Sequence, residues 1–410
     1  MKLHPLPALL AMSVLATTVA SSTNSMLLTP ALAAANAERP APATEAETPR
    51  LAAALAVAGI PALPAPESAA RAAVPAEEAP STPPPAPNVY SLATDLSPAV
   101  AGIPRRVYVP NSDAGTLTVI DPDTFKVVDQ YAVGRIPHHV TPAWDLSKLY
   151  VDDEGSSMLT IIDPVKGKPA GTIPVSYPYN LYFTPDGQKA VVVAERLQTL
   201  EFRDRKSWAP IESVRIPWPG VDHMDFSADG SYLLASTEWS GVLAKVSTVS
   251  MELLGGVRVG SLPVDVRLSA DGSVFYVANQ GRGGVSLVDG EGMKEVGFIA
   301  TGRGAHGLQV SRDSKSLYVS NRLAGSVSVI DFASRQVTAT WNIGGSPDML
   351  QLSPDGRQLW LSSRFDGEVY VVDTQSGKVL SRVRAGAGAH GLTYFPAPGN
   401  HSLGHNGVYR

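Results

Sequence analysis

A repeat with a period of ~42 residues dominates the chain from residue 104 onward. Seven short apolar runs recur along it, and polar turn residues follow each one. They are VYVPN, LYVDD, VVVAE, LLAST, FYVAN, LYVSN and LWLSS, centred on Tyr108, Tyr150, Val191, Leu234, Tyr276, Tyr318 and Trp360. The successive separations of these central residues are 42, 41, 43, 42, 42 and 42 residues. This regularity indicates a repeat architecture in which every unit contributes one piece of a larger core.

Each unit contains four short runs in which apolar and polar residues alternate, as in residues 304–344. A turn of the form PDG or ADG joins the first two runs, at residues 185–187, 228–230, 270–272 and 354–356. Asp-Gly suits a hairpin position at which φ becomes positive. Four strands per unit, with a period of about 40 to 45 residues, predict a β-propeller blade. The predicted fold class is therefore all-β, a seven-bladed β-propeller.

The two ends of the repeat array predict how the ring closes. The first unit begins directly at RRVYVPN and lacks its own innermost strand, whereas HGLTYF at residues 390–395 follows the seventh unit as an extra one. We expect this C-terminal strand to pair beside Val107 and Tyr108, which would close the ring without free sheet edges. Removing the chain from His390 onward should then open the ring.

The strings LYVSN, FYVAN, SVSVID and SPDG resemble the YVTN-repeat, YncE-like seven-bladed β-propeller family over residues 104–397. The resemblance implies the propeller architecture. It also implies relatives of several kinds, among them haem d1 propellers, lactonases and periplasmic metal-binding propellers. Because these relatives differ in chemistry, the fold does not by itself select an activity.

The first 98 residues differ from the repeats in composition. A short positive start, an apolar run and an A-x-A site at Ala31 and Ala33 predict a cleavable signal peptide at residues 1–33. The alternative is an uncleaved anchor, although Pro5 and Pro7 interrupt the helix that a bilayer span needs. Residues 34–98 are rich in Ala, Pro and Glu, which predicts a disordered spacer. The propeller at residues 99–397 and a tail at residues 398–410 complete the predicted domains.

Composition and motifs exclude several functions. The chain has no Cys, which excludes disulfides, c-type haem attachment and thiolate metal sites. Its 33 Lys and Arg against 38 Asp and Glu predict no nucleic-acid partner. Residues 302–307 contain a G-x-G-x-x-G string, but HGLQVS after it alternates as a strand. A dinucleotide fingerprint needs a helix at that point, so these glycines are expected to form a crossover between blades.

The crossover from each outer strand to the next inner strand should end beside the central channel. Counting seven residues back from the Asp of the turn, and matching the two GAHGL strings, identifies one equivalent residue per blade. In ring order these are His390, His138, Tyr179, Asp222, Val264, His306 and Asp348. His138, His306, His390 and Asp348 fall on four consecutive blades, and Zn²⁺ or Cu²⁺ would accept this donor set. The alternative is that these histidines only hydrogen-bond the backbone and line the channel.

Other polar residues are predicted either at the same mouth of the channel or away from it. Arg282, Arg322 and Arg364 lie in the connections between second and third strands of three consecutive blades, where with Asn279 and Asn321 they could bind a carboxylate or phosphate on a ligand. Asp222 stands farther round the ring and is predicted to contact the ligand if the funnel is narrow. Solvated turn arginines are the alternative. His139 is expected to face away from the channel, because it follows His138 on an alternating strand. His401 and His405 are expected at the opposite face, because the strand before them runs away from the channel mouth.

Three functions remain open at this point. The first is an exported binding protein, periplasmic or secreted at the cell envelope, with a small ligand or divalent metal ion in its axial funnel for carriage or sequestration. The second is a propeller enzyme, lactonase-like or haem d1-related, that uses the funnel histidines as general acid and base. The third is an interaction scaffold for an envelope protein. We expect a monomer without a transmembrane segment after signal cleavage.

Overall fold

The computed structural model describes residues 88–405 and 409. The chain divides into two units, Met1–Ala79, which lies outside the described residues, and Pro80–Arg410. The predicted signal peptide at residues 1–33 and the spacer up to residue 87 therefore also lie outside them. In the described part the chain forms 28 strands and three 3₁₀ helices. The 3₁₀ helices are Pro98–Val100, Glu154–Ser156 and Glu195–Leu197.

The strands form seven four-stranded antiparallel sheets, as the repeat predicts. In chain order they are β1 (Arg106–Asn111), β2 (Thr116–Asp121), β3 (Lys126–Ala132), β4 (Pro137–Pro142), β5 (Leu149–Asp153), β6 (Met158–Asp163), β7 (Lys168–Pro174), β8 (Asn180–Phe183), β9 (Lys189–Ala194), β10 (Thr199–Asp204), β11 (Pro210–Arg215), β12 (Val221–Phe226), β13 (Tyr232–Thr237), β14 (Val242–Ser247), β15 (Leu253–Arg258), β16 (Pro263–Leu268), β17 (Phe275–Asn279), β18 (Gly284–Asp289), β19 (Lys294–Ala300), β20 (Ala305–Val310), β21 (Ser316–Asn321), β22 (Ser326–Asp331), β23 (Gln336–Asn342), β24 (Pro347–Leu352), β25 (Gln358–Ser363), β26 (Glu368–Asp373), β27 (Val379–Arg384) and β28 (Thr393–Phe395). Blade 1 has the order β28-β1-β2-β3, and blades 2 to 7 each take four consecutive strands from β4 to β27.

The closing strand is where the sequence predicts it. β28 pairs antiparallel with β1, so that Tyr108 faces Thr393 and Val107 faces Tyr394. The pairing continues toward the channel mouth, because the His390 N–H donates to the Pro110 carbonyl at 3.0 Å. The predicted C-terminal closure of the first blade is confirmed, and it joins residues near both ends of the propeller into one sheet.

Apolar side chains fill the seven gaps between neighbouring blades. Each of the seven core clusters combines residues of two adjacent blades, such as Tyr182 with Met224 and Tyr276 with Leu308. Inner strands are buried along their whole length, as in β20, whereas outer strands such as β23 alternate between half-buried and exposed residues. Burial on both faces excludes water from the inner strands, and polar residues there must find partners inside the protein.

A β-bulge interrupts the inner strand in five of the blades. The register between inner and second strands shifts between Pro137 and Val140 in blade 2, and equivalent shifts occur in blades 4, 5, 6 and 7. The extra residue leaves two consecutive residues outside the regular ladder, and such a bulge re-aims their side chains. These two residues are His138 and His139 in blade 2.

Residues 88–98 contact the propeller, although the sequence assigns them to the spacer. The Val89 N–H donates to the Ala270 carbonyl at 2.8 Å, and the Tyr90 hydroxyl donates to the Leu268 carbonyl at 2.9 Å. Tyr90 is buried within the core between blades 5 and 6. These contacts extend the packed unit back from the composition boundary at residue 99 to Asn88.

The C-terminal tail differs from its expected position, because it folds back into the channel. The Ser402 N–H donates to the Trp144 carbonyl at 3.2 Å, and the Phe183 N–H donates to the Leu403 carbonyl at 3.0 Å. Gly404 forms an antiparallel bridge with Tyr182 of β8. Because inner strands run away from the mouth, a segment antiparallel to β8 runs toward it. The tail therefore enters the channel from the far face and runs toward the mouth beside blade 3. None of the described residues forms a helix long and apolar enough to cross a bilayer.

Candidate functional site

Three rings of residues line the channel, counted from its mouth. Ring 1, the residue directly after each second strand, consists of Ser112, Glu154, Glu195, Glu238, Gln280, Arg322 and Arg364. Ring 2, near the start of each inner strand, consists of His390, His138, Tyr179, Asp222, Val264, His306 and Asp348. Ring 3, the next residue along each inner strand, consists of Gly391, His139, Asn180, His223, Asp265, Gly307 and Met349.

Ring 2 brings together most of the residues that the sequence predicts as metal ligands. Asp348 lies between two histidines, with Oδ1 at 2.8 Å from His306 Nδ1 and Oδ2 at 2.9 Å from His390 Nδ1. The His138 ring lies 5.6 Å from the His390 ring, between centroids. However, the Nε2 atom of His138 is 3.2 Å from Glu154 Oε2, which draws that imidazole toward the acidic wall.

Two arginines of ring 1 contact the polar atoms of Asp348, His306 and His390. Arg322 forms an ion pair with Asp348 and donates to His306 Nε2, and Arg364 Nη1 is 2.8 Å from His390 Nδ1. Burial alone would raise the pKa of Asp348, but Arg322 and the two histidines hold that pKa well below its usual range. The carboxylate is therefore already neutralised by a guanidinium, and a divalent ion here would be repelled by two arginines.

Arg282 does not join Arg322 and Arg364 at the channel, so the predicted three-arginine cluster is not formed. Its guanidinium donates to the Val259 carbonyl at 2.7 Å and to Glu295 Oε1 at 2.5 Å, between blades 4 and 5. The reason is the position of each arginine after its second strand. Arg322 is the first residue after β21, whereas Arg282 is the third residue after β17, and Gln280 therefore occupies ring 1 in blade 5.

Ring 3 and the tail together form a cluster that the sequence does not predict. The rings of His139, His223 and His405 are 4.3 to 5.1 Å apart between centroids. One potential ligand nitrogen from each lies within 4.8 Å of the others. The three side chains belong to blade 2, blade 4 and the tail, and none is more than 1 % exposed.

The six nitrogens of these three imidazoles have no hydrogen-bond partner within the described part of the chain. One of them, His223 Nδ1, is nevertheless in ion-pair contact with the adjacent Asp222, at 2.5 Å from Oδ1. Buried polar atoms in native proteins are nearly always satisfied, so the other five nitrogens of these adjacent imidazoles need an explanation. Burial lowers the pKa of His139 and His405 well below the usual value, and that of His223 to about 4. All three are therefore neutral at pH 7, the form that binds metal ions.

Two local features bring His139 into this cluster against expectation. The bulge releases it from strict alternation, so that it faces the channel as His138 does. In addition, Gly391 leaves room for its ring, because a Cβ atom at residue 391 would lie 2.0 Å from His139 Nδ1. The available sequence signals were consecutive polar pairs, His138 with His139 and Asp222 with His223, at the bulge position of the inner strands.

The tail histidines separate, and only one enters the cluster. His401 stacks on Trp144 with 3.7 Å between centroids and 9° between planes, whereas His405 reaches the axis. The expectation that both lie at the opposite face is wrong for His405. The tail begins at that face, but the residues after Gly399 reverse direction inside the channel.

The channel mouth carries acidic side chains on one side and basic side chains on the other. Blades 2 to 4 carry Glu154, Glu195 and Glu238 in ring 1, while blades 6 and 7 carry Arg322 and Arg364. Glu154 is paired with Arg196 at 2.8 Å, but Glu238 accepts only from the neutral amide of Gln280, at 2.8 Å. Burial, together with the charge of Asp222, raises the pKa of Glu238 to about 8.

Asp222 belongs to the same acidic half and connects ring 1 to the histidine cluster. It is 3 % exposed, and burial raises the pKa of its carboxyl to about 8. Glu195 has a pKa raised to about 7 by burial and by Asp222, and it accepts a hydrogen bond from Trp239 Nε1 at 3.0 Å. A cation near Asp222 would relieve the repulsion among these three carboxylates.

Comparison with known proteins identifies the architecture. The model of the YNCE-like β-propeller family matches residues 69–398. No curated protein matches the chain. Among solved structures, the chain is similar to the periplasmic gluconolactonase PpgL of Pseudomonas aeruginosa, with 20% identity, a TM-score of 0.61, and coverage of 72% of this chain and 99% of that one.

Two further solved structures show the same fold in other settings. One is a functionally unknown protein from Desulfotomaculum acetoxidans, at 18% identity and a TM-score of 0.61, covering 70% of this chain and 98% of that one. The other is hydrazine synthase of Kuenenia stuttgartiensis, at 18% identity and a TM-score of 0.54, covering 62% of this chain and 87% of that one. Identities this low support the shared fold alone.

Proposed function

The chain belongs to the YNCE-like β-propeller family, and we propose that it is an exported propeller that holds a divalent transition-metal ion at His139, His223 and His405. The observation that carries the proposal is the convergence of three buried, neutral imidazoles, five of whose six nitrogens have no polar partner among the described residues. A bound ion would satisfy one nitrogen of each imidazole. It would also explain why blades 2 and 4 and the tail all bring a histidine to the axis.

The donor chemistry favours Zn²⁺ or Cu²⁺. Imidazole nitrogen is a borderline ligand that suits these ions better than Mg²⁺ or Ca²⁺, which prefer oxygen. Three protein nitrogens leave a fourth position of a tetrahedral site for water or a small ligand. A tetrahedral ion with bonds of about 2.0 to 2.1 Å needs ligand nitrogens roughly 3.4 Å apart. Small rotations of the three rings would bring atoms that lie within 4.8 Å to that separation.

The proposed ion lies at ring 3, one ring deeper in the channel than the site that the sequence predicts. That predicted site lies in ring 2 and consists of His138, His306, His390 and Asp348. The arginines beside Asp348 and His390 disfavour a cation in that group. The acidic half of the mouth supports the deeper position, because Glu195, Glu238 and Asp222 lie on blades 3 and 4, next to His223. With pKa values of about 7 to 8, these carboxyl groups would release protons as a cation binds beside them, and the carboxylates so formed would stabilise it.

Export is the part of this proposal that rests on residues 1–33. Their positive start, apolar run and A-x-A site are typical of a cleaved leader. An ion held only by side chains inside a channel would suit carriage or sequestration in the periplasm or at the cell envelope.

The test is metal binding by untagged, chelator-stripped protein, measured by elemental analysis after equilibrium dialysis against Zn²⁺ or Cu²⁺. We expect one ion per chain. The variant His139→Ala with His223→Ala should weaken binding by at least about 100-fold, since it removes two ligands rather than an outer partner. The matched control, His306→Ala with His390→Ala, should retain the ion. Loss of binding in the control alone would refute the proposed ligand set.

A second candidate is hydrolysis, and one observation favours it. Asp348 contacts Nδ1 of His390, whose Nε2 atom is buried without a hydrogen-bond partner. His390 Nδ1 lies near both Asp348 Oδ2 and Arg364 Nη1, and only the tautomer that donates its Nδ1 proton to Asp348 carries the Nε2 lone pair that a general base needs. The similar structure of a gluconolactonase suggests a lactone substrate. Proton release from gluconolactone, followed at constant pH, should then disappear in His390→Gln; activity unchanged in that variant would exclude His390 as the base.

A further inference from the structure

The tail that supplies His405 is held in the channel by a few backbone hydrogen bonds, a bridge from Gly404 to Tyr182 and two buried apolar side chains, Leu403 and Tyr409. Between Gly399 and His405 its backbone makes the hydrogen bonds to Trp144 and Phe183 described above, and one more from the Gly399 N–H to the Asp95 carbonyl at 2.9 Å. Leu403 packs into the core between blades 3 and 4. Tyr409 packs into the core between blades 1 and 2. Unlike β28, which pairs with β1 at three consecutive residues, the segment from Gly399 to His405 forms no continuous strand.

Docking the tail also carries a cost that only a ligand would remove. His405 is 1 % exposed, and neither of its nitrogens has a hydrogen-bond partner among residues 88–405 and 409. Around it lie the rings of His139, His223 and Tyr182, at 4.3, 4.7 and 5.3 Å between centroids. Without an ion, docking would remove the imidazole from water and return no hydrogen bond.

We propose that residues 399–405 are a metal-dependent latch: the ion bound by His139 and His223 captures His405, fixes the tail in the channel and closes the channel's far end. The inference rests on the proposed metal site and adds a role for the tail. An ion that binds only the docked state stabilises docking in proportion to its concentration relative to its dissociation constant. Removal of the ion then favours release of the tail and opens the far end.

Glycines at both ends of the segment suit such a movement. Gly399 has φ of +126° and Gly404 has φ of +159°, conformations that residues with a Cβ rarely adopt. At Gly404 a Cβ would also lie 2.4 Å from the Tyr182 ring, so the docked tail passes that ring only as glycine. The closing strand β28 precedes Gly399, so release of the tail leaves the ring sealed.

Amide hydrogen exchange on the full chain, with Zn²⁺ and with chelator, tests the latch. We expect Zn²⁺ to slow exchange of the amides in residues 402–405 by at least tenfold, while amides of β1 near Tyr108 stay unchanged. In His405→Gln, Zn²⁺ should bind at least tenfold more weakly and should no longer protect the tail.

The outcomes separate the two proposals. If one Zn²⁺ ion binds but tail exchange is the same with and without it, the latch is wrong and the metal site stands. If His405→Gln keeps both its zinc affinity and the zinc-dependent protection, His405 is not a ligand, and both the latch and the three-histidine site are wrong. If no Zn²⁺ binds to the wild-type chain, both the metal site and the latch are wrong.

Discussion

The channel histidines differ in what surrounds them, and this difference decides their chemistry. His306 and His390 lie against Asp348 and the arginines of blades 6 and 7, so their polar atoms are largely engaged. His139, His223 and His405 lie among one another, and within the described residues their only polar contact is that of His223 Nδ1 with Asp222. Neutral imidazoles of the second kind are the better metal ligands, although both kinds are equally buried.

Gly391→Ala should disrupt the metal site without breaking a ligand. The new Cβ would lie 2.0 Å from His139 Nδ1, so the imidazole must leave its position. We expect metal affinity to fall by about 10- to 100-fold, the range seen when a ligand loses its support. Isothermal titration with Zn²⁺ measures this, with Gly297→Ala on the outer strand β19 as control. Equal affinity in the two variants would contradict the role given to Gly391.

Glu238→Gln should stabilise the metal-free protein at alkaline pH. The pKa of Glu238 is raised to about 8 from its usual 4.5, by burial first and by Asp222 second. Between these values the unfolded chain has lost the proton and the folded chain keeps it, so the free energy of unfolding falls as pH rises. The variant avoids this loss, which amounts to about 4 kcal/mol at pH 8.5 for these two pKa values, and nearly matches wild type at pH 4.5.

Urea unfolding at the two pH values, in chelator, checks this expectation. Glu212→Gln on the exposed outer strand β11 serves as control, because its carboxylate is solvated in both states. A gain in stability for Glu238→Gln that is the same at both pH values would contradict the proposed proton linkage.

At the scale of single residues, sequence reasoning predicted some contacts and missed others. The spacing of the repeats brought His306, His390 and Asp348 together correctly, because equivalent positions of a propeller converge on its axis. The repeat period could not show that Arg322 and Arg364 contact these residues, because a period gives the position of a residue in its blade and not the conformation of its side chain. Nor could it place His139, because one bulge residue changes which way a strand residue faces.

At the scale of elements, the strands were predictable and the exceptions have local causes. Alternating runs between Asp-Gly turns identify all four strands of a blade, and the missing inner strand of blade 1 identifies β28. The tail lies beyond the repeat and has no equivalent in other blades, so periodicity says nothing about its path. Its contacts with β8 depend on Leu403 and Gly404, which fit a gap visible only in the folded protein.

Ending the chain at Ala389 should abolish the cooperative melting transition, because β1 then loses its inner partner and the ring cannot close. The matched control ends at Gly399, which keeps β28 and removes the latch. We expect this control to melt cooperatively at a lower temperature, since it lacks the buried Leu403 and Tyr409. Circular dichroism during heating distinguishes the two. A melting curve of the shorter chain identical to that of the full chain would contradict closure by β28.

At the scale of the whole molecule, the propeller brings distant charges into one divided channel. Glutamates of blades 2 to 4 face arginines of blades 6 and 7 across the mouth, although up to 210 residues separate them along the chain, from Glu154 to Arg364. The composition is nearly balanced, with a net charge of −5, and therefore does not reveal this separation. The acidic half lies beside His223 and Asp222, where the account requires a cation.

The most direct test of the central claim is the position of the metal itself. Crystals of the zinc-loaded chain, measured at the zinc absorption edge, would locate it by anomalous scattering. The account predicts a single peak about 2.0 to 2.1 Å from one nitrogen each of His139, His223 and His405. A peak between His306, His390 and Asp348, or no peak in the channel, would contradict it.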